Sequence, residues 1–112
     1  MPKQKTKRKL ITVIVKFNTP QDMTKEDIKA KFKETSPIYK DTPGLVRKNY
    51  LFDSSNNTAG GCYTFKTREE AETWFDEERL SWIEKRWSKP VLEYYESPVI
   101  VNNELERIEE YE

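Results

Sequence analysis

Histidine is absent from the 112 residues, and cysteine occurs once, as Cys62. Without histidine no Ser-His or Cys-His nucleophile pair can form, and zinc, copper and haem sites lose a principal ligand. A lone thiol cannot close an intrachain disulfide, which suits a reducing compartment and makes the cytoplasm the expected location. No apolar run approaches the ~20 residues that cross a bilayer, so no membrane segment is expected. The apolar stretch after the basic start is short and interrupted by Thr12 and Lys16, unlike a secretory leader. Glycine is scarce, with three residues, and no Gly-rich dinucleotide fingerprint occurs. The expectation is a chain that uses no metal and no cofactor.

What is present is charge and aromatic surface. Charged residues make up 36% and hydrophobic ones 35%, against roughly 25% charged in an ordinary domain, so the core is thin. Three tryptophans, six tyrosines and five phenylalanines compensate, because each buries roughly 150–250 Å². Zero net charge opposes charge-driven disorder and leaves no broad basic face for phosphates, so no nucleic-acid partner is expected. Charge is uneven: residues 1–9 read as a basic tail and 104–112 as an acidic one, both solvated, around a domain at 10–103.

Leu10 to Phe17 is rich in β-branched residues and reads as a strand with Ile11, Val13, Val15 and Phe17 on the face beneath the helices. Thr24 and Asp27 form a capping-box pattern that starts a helix bearing Ile28, Phe32 and Tyr39, which Pro37 should kink or restart near Ser36. Thr42-Pro43-Gly44 is a turn. Leu45–Asp53 and Gly60–Lys66 then form a hairpin. Thr67 with Glu70 opens a second helical run, long enough to bend near Glu78, and Val91–Ser97 follows as a strand. Pro98 leads into an apolar arm, Val99-Ile100-Val101, with no partner of its own. The order β-α-β-β-α-β predicts an α+β, ferredoxin-like domain with an antiparallel sheet and both helices on one face. The other sheet face carries apolar groups, so a second copy is expected to cover it.

Thr42-Pro43-Gly44-Leu45-Val46-Arg47-Lys48-Asn49-Tyr50, then Ala59-Gly60-Gly61-Cys62-Tyr63-Thr64-Phe65, then Arg68 to Trp74, resembles the YdhR-type monooxygenases of the dimeric α+β barrel superfamily. The resemblance covers roughly residues 10–103. It implies a homodimer whose sheets pack into a barrel, with a pocket in each subunit between sheet and helices. Relatives in that superfamily oxygenate polycyclic phenols and anthrones without a cofactor. Haem-degrading and stress-responsive relatives rely on a pocket histidine, which this chain lacks.

Tyr63 and Phe65 alternate with Cys62 and Thr64 and so share a face, assigned to the helix side, where Trp74 should also point. They form either an aromatic core pair or a flat slot whose tyrosine hydroxyl orients a ring substrate. On the preceding strand Lys48 and Tyr50 face one way, Arg47 and Asn49 the other. Lys48 either guards an exposed edge or sits in the pocket with Tyr50, where a cation would stabilise an enolate that reacts with oxygen; Asn49 or Arg47 serves if the faces are reversed. Lys48 and Tyr63 are thus the catalytic candidates, and Asn49, Tyr50, Phe65, Trp74 and Tyr39 the substrate-binding ones. The function expected is a cofactor-independent monooxygenase of a small aromatic or polyketide-like compound. The alternative is a non-catalytic binder of a small apolar ligand.

Overall fold

The computed structural model describes residues 3–5, by backbone alone, and 8–112. Ten elements follow in order: β1 (Lys3–Lys5), β2 (Ile11–Asn18), α1 (Lys25–Lys40), β3 (Leu45–Asp53), β4 (Thr58–Phe65), α2 (Arg68–Trp74), α3 (Glu77–Arg86), β5 (Val91–Glu96), β6 (Val99–Asn102) and β7 (Arg107–Glu110). β2 to β5 form one antiparallel sheet in the order β3-β4-β2-β5, the ferredoxin-like arrangement expected from β-α-β-β-α-β. No helix among the described residues is long and apolar enough to cross a membrane.

The core lies between this sheet and the helices. Ile11, Val13 and Val15 from β2 meet Tyr63 and Phe65 from β4, with Tyr39, Ala71, Phe75 and Ile83 above them. The period-2 pattern of β2 therefore buries the face that its sequence predicts.

Two expectations about the helices are corrected. Pro37, expected to kink or restart the helix, lies inside a continuous α1 and does not restart it. A proline at 37 cannot donate to the carbonyl of Lys33, and the Ser36 hydroxyl donates to that carbonyl instead, at 2.9 Å. The second helical run breaks at Phe75–Asp76, before Glu78. There Asp76 accepts from the Arg79 amide at 2.8 Å and caps a new helix, α3.

The terminal segments also depart from the solvated tails expected. β7 pairs antiparallel with β6 and parallel with β1, so residues from both charged ends lie in one three-stranded sheet, β1-β7-β6. Charge counting misses this because backbone pairing is indifferent to side-chain polarity. The turn is set locally, by Glu106 at φ 53 and by an Asn102 side chain that accepts from the Leu105 amide. Positions 1, 2, 6 and 7 of the basic run lie outside the described residues.

Candidate functional site

Register decides what Lys48 faces. β3 places Lys48 opposite Tyr63 and Tyr50 opposite Gly61, and β2 places Val13 opposite Tyr63. Directly opposed residues share a sheet face, so Lys48 points with Tyr63 and Val13 toward the helices.

The Lys48 Nζ lies 3.3 Å from the ring centroid of Tyr39, 3.8 Å from Tyr50 and 4.6 Å from Tyr63. Three elements, α1, β3 and β4, thus supply one wall each of an aromatic cage. Gly61 leaves the space the lysine stem occupies: a Cβ there would stand 3.0 Å from Lys48 Cε and 2.8 Å from Tyr63 Cε1. No described carboxylate pairs with the amine.

Two effects compete at this nitrogen. Ring faces attract an ammonium by about 0.5–2 kcal/mol each, whereas burial disfavours the charged form. Burial prevails, lowering the Lys48 pKa from 10.5 to about 6, with the positive charge of Arg79 adding to it. At pH 7 the side chain is therefore largely a neutral amine. The phenols shift oppositely. Burial first, then Tyr39, pushes Tyr63 well above its ordinary value, and burial also raises Tyr39 and Tyr50. All three present neutral hydroxyls, and that of Tyr50 is bonded to Thr35 Oγ1 at 2.7 Å.

The cage opens into a narrow cleft of about 30 Å³, room for about one water molecule. Phe17 stacks on Trp87 at 5.2 Å and Phe32 on Tyr50 at 4.6 Å, so the cleft wall is aromatic. Lys31 and Arg86 bring positive charge to its lining. Behind it, the Arg79 guanidinium lies 3.9 Å from the Trp74 ring and 4.9 Å from that of Trp82.

The predicted site residues divide into two groups. Lys48, Tyr50, Tyr63 and Tyr39 converge on one cage. Asn49 does not reach it: opposite Cys62 in the ladder, it lies on the other sheet face, beside a broad hollow that Arg47 and Thr64 also line. Phe65 is fully buried behind Tyr63, stacked on it at 6.3 Å. Trp74 meets Tyr39 edge-on at 5.6 Å and does not line the cleft. Sequence reasoning missed Arg79, Trp82 and Arg86 as site residues. Their signal was the spacing, since residues three before and four after Trp82 lie beside it on a helix.

Several solved structures share the fold, among them the following. A mutant of SnoaB, a cofactor-independent oxygenase from Streptomyces nogalater, is 13% identical with a TM-score of 0.58, over 79% of this chain and 92% of that one. A Nitrosomonas europaea protein of unknown function, NE2512, is 14% identical with a TM-score of 0.64, over 85% and 94%. A "putative antibiotic biosynthesis monooxygenase" from Caulobacter crescentus is 10% identical with a TM-score of 0.60, over 80% and 91%. At such identities the likeness speaks for fold alone. No curated protein matches the chain significantly. Residues 10–95, most of the sheet and all three helices, match the family model described as "Putative mono-oxygenase ydhR", and the chain therefore belongs to the YdhR mono-oxygenase family.

Proposed function

We propose that the protein is a cofactor-independent monooxygenase of a small aromatic compound with an acidic C–H bond, and that Lys48 is its base. The observation that carries this reading is the half-buried Lys48 amine, held among three tyrosine rings with no described carboxylate beside it; burial lowers its pKa to about 6. A base titrating just below neutrality is free to accept a proton at pH 7. Having taken it, the ammonium stands beside the carbanion it has made and stabilises it, aided by hydroxyl donation from Tyr63 or Tyr39. The electron-rich anion reduces oxygen, the two recombine at carbon, and the hydroperoxide loses water. In balance, one ring methylene and one dioxygen give one ring ketone and one water, and no outside reductant is consumed. The cleft is too narrow for a ring system as it stands, so a flat substrate enters by parting Phe32 and Trp87, whose centroids are 6.2 Å apart.

Oxygen uptake with an anthrone-like phenol is expected to persist in excess EDTA. It rises with pH through about 6, where the Lys48 amine loses its proton. Removing the base by Lys48→Met lowers kcat about 10²- to 10⁴-fold. Loss of uptake on chelation overturns the mechanism. Binding across a phenolic panel without oxygen consumption identifies a non-catalytic binding protein instead.

The active form in this reading is a homodimer. The arm Val99-Ile100-Val101, expected to be without a partner, pairs with β7 of its own chain; the support for a dimer is the side chains still exposed, Val99 at 56% and Val101 at 60%, with Leu51, Val91 and Tyr95 on the main sheet. Sedimentation at micromolar concentration is expected to report a dimer, and deleting residues 98–112 to weaken it at least tenfold. A stable full-length monomer would falsify this assembly.

A further inference from the structure

The lysine cage has a second chemical competence that an oxygenase base does not require. Lys48 lines a cleft, with the rings of Tyr39, Tyr50 and Tyr63 against its Nζ and no described carboxylate to hold it as a cation. An amine so placed keeps its lone pair, and its neighbours are neutral hydroxyls able to pass protons. The cleft beside it, about 30 Å³, admits a single small functional group. Its lining carries two cations, Lys31 and Arg86, beyond the aromatic wall. Arg86 is only loosely engaged, 3.7 Å from the exposed carboxylate of Glu34 and 5.2 Å above Trp82.

We propose that Lys48 is an amine nucleophile that captures small 2-oxo acids as Schiff bases, their carboxylate held by Arg86 and Lys31. The lone pair of Nζ attacks the carbonyl carbon, and the carbonyl oxygen gains a proton to give a carbinolamine. Loss of that oxygen as water leaves a carbon–nitrogen double bond to Nζ. In balance, one 2-oxo acid and one neutral lysine amine give one imine, its carboxylate retained, and one water, and the two amine protons leave with the carbonyl oxygen. No oxidant or reductant is needed. A desolvated lysine beside a second cation is the setting in which such chemistry is favoured. Here the second cation is Arg79, whose charge also disfavours protonation of Lys48. The charged and titratable groups around the amine are Tyr39 from α1, Tyr50 from β3, Tyr63 from β4, and Arg79 and Arg86 from α3, with Lys31 at the cleft lining. Burial first, and then the charge of Arg79, oppose its protonation, and the neutral phenols do not compensate.

This inference shares Lys48 with the oxygenase reading but needs neither oxygen nor an aromatic substrate, so the two fail separately. The test is reductive trapping of the full chain under nitrogen, using glyoxylate with cyanoborohydride, read by intact mass and peptide mapping. At pH 7 a surface lysine is about 10³-fold less deprotonated than an amine titrating near 6. Among the lysines, the adduct at Lys48 is therefore expected to form well ahead of any other, and peptide mapping separates it from the adduct at the chain's α-amino group. Its rate falls about tenfold from pH 7 to pH 5, because protonation of the amine removes its lone pair. Arg86→Gln slows trapping of glyoxylate but not of uncharged propanal. Lys48→Arg, which keeps a side chain of similar length but has no nucleophilic amine, abolishes the adduct, and circular dichroism checks that it folds. Adducts spread evenly over the lysines, or an unchanged adduct yield in Lys48→Arg, overturn the proposal. Equal slowing of glyoxylate and propanal by Arg86→Gln overturns the assignment to oxo acids.

Discussion

Lys48→Met is expected to make the protein more stable while removing its chemistry. In the unfolded chain the amine titrates at its ordinary 10.5, in the folded chain at about 6. Between those values the unfolded state binds more protons than the folded one, so stability of the wild type rises with pH across that window and is lowest below about 6. Each unit of difference corresponds to about 1.36 kcal/mol. The ring faces and remaining solvent contact offset part of the penalty, leaving about 2–4 kcal/mol to be recovered at pH 7 by an uncharged side chain of similar length. For a domain of this size that raises Tm by about 10 °C or more. Thermal unfolding of both proteins from pH 5 to pH 10 is the measurement. The variant's advantage should shrink as pH rises toward 10. A variant less stable than wild type at pH 7 would show that the ring faces hold an ammonium after all. Stability given up at one residue is a mark of a site selected for chemistry, not packing.

The tandem glycines are expected to respond very differently to alanine. A Cβ at Gly60 would lie 1.7 Å from the Val15 carbonyl oxygen, which is backbone of the neighbouring strand. β4 is paired on both sides, with β2 and β3, so that clash is relieved only by parting the sheet. Gly60→Ala should cost more than about 4 kcal/mol, enough to unfold much of the population. At Gly61 the same atom meets only side-chain ends, Tyr63 Cε1 and Lys48 Cε. Gly61→Ala should fold with a loss of about 1–3 kcal/mol but push Lys48 out of its cage, returning the amine toward its ordinary protonation. Urea unfolding separates the two variants, and cyanoborohydride trapping reads the displaced amine. If Gly61→Ala unfolds as completely as Gly60→Ala, the glycine serves the sheet and not the lysine.

Particular residues show how far local pattern reaches. Ile11, Val13 and Val15 alternate cleanly, and their buried face follows from period alone. Thr24 with Asp27 both mark and form a capping box. β3 is harder to read because Arg47, Lys48, Asn49 and Tyr50 set polar and bulky groups on both faces. Only the pairing of Lys48 with Tyr63 resolves them, after a register shift between Leu45 and Arg47. The same ambiguity displaced Asn49, and Phe65 fell to the core because alternation reports a face without reporting depth.

The sequence by itself determined the β-α-β-β-α-β frame of the main sheet and its helices, the family and the absence of imidazole ligands, since these depend on residue identity and on neighbours within a few positions. The tertiary structure alone decided that an amine from β3 and rings from α1, β3 and β4 meet in one place. It alone also decided that burial and the charge of Arg79 lower the pKa of that amine to about 6. The reason is that desolvation and charge interaction depend on distances through space, which long-range strand pairing sets and no local pattern records.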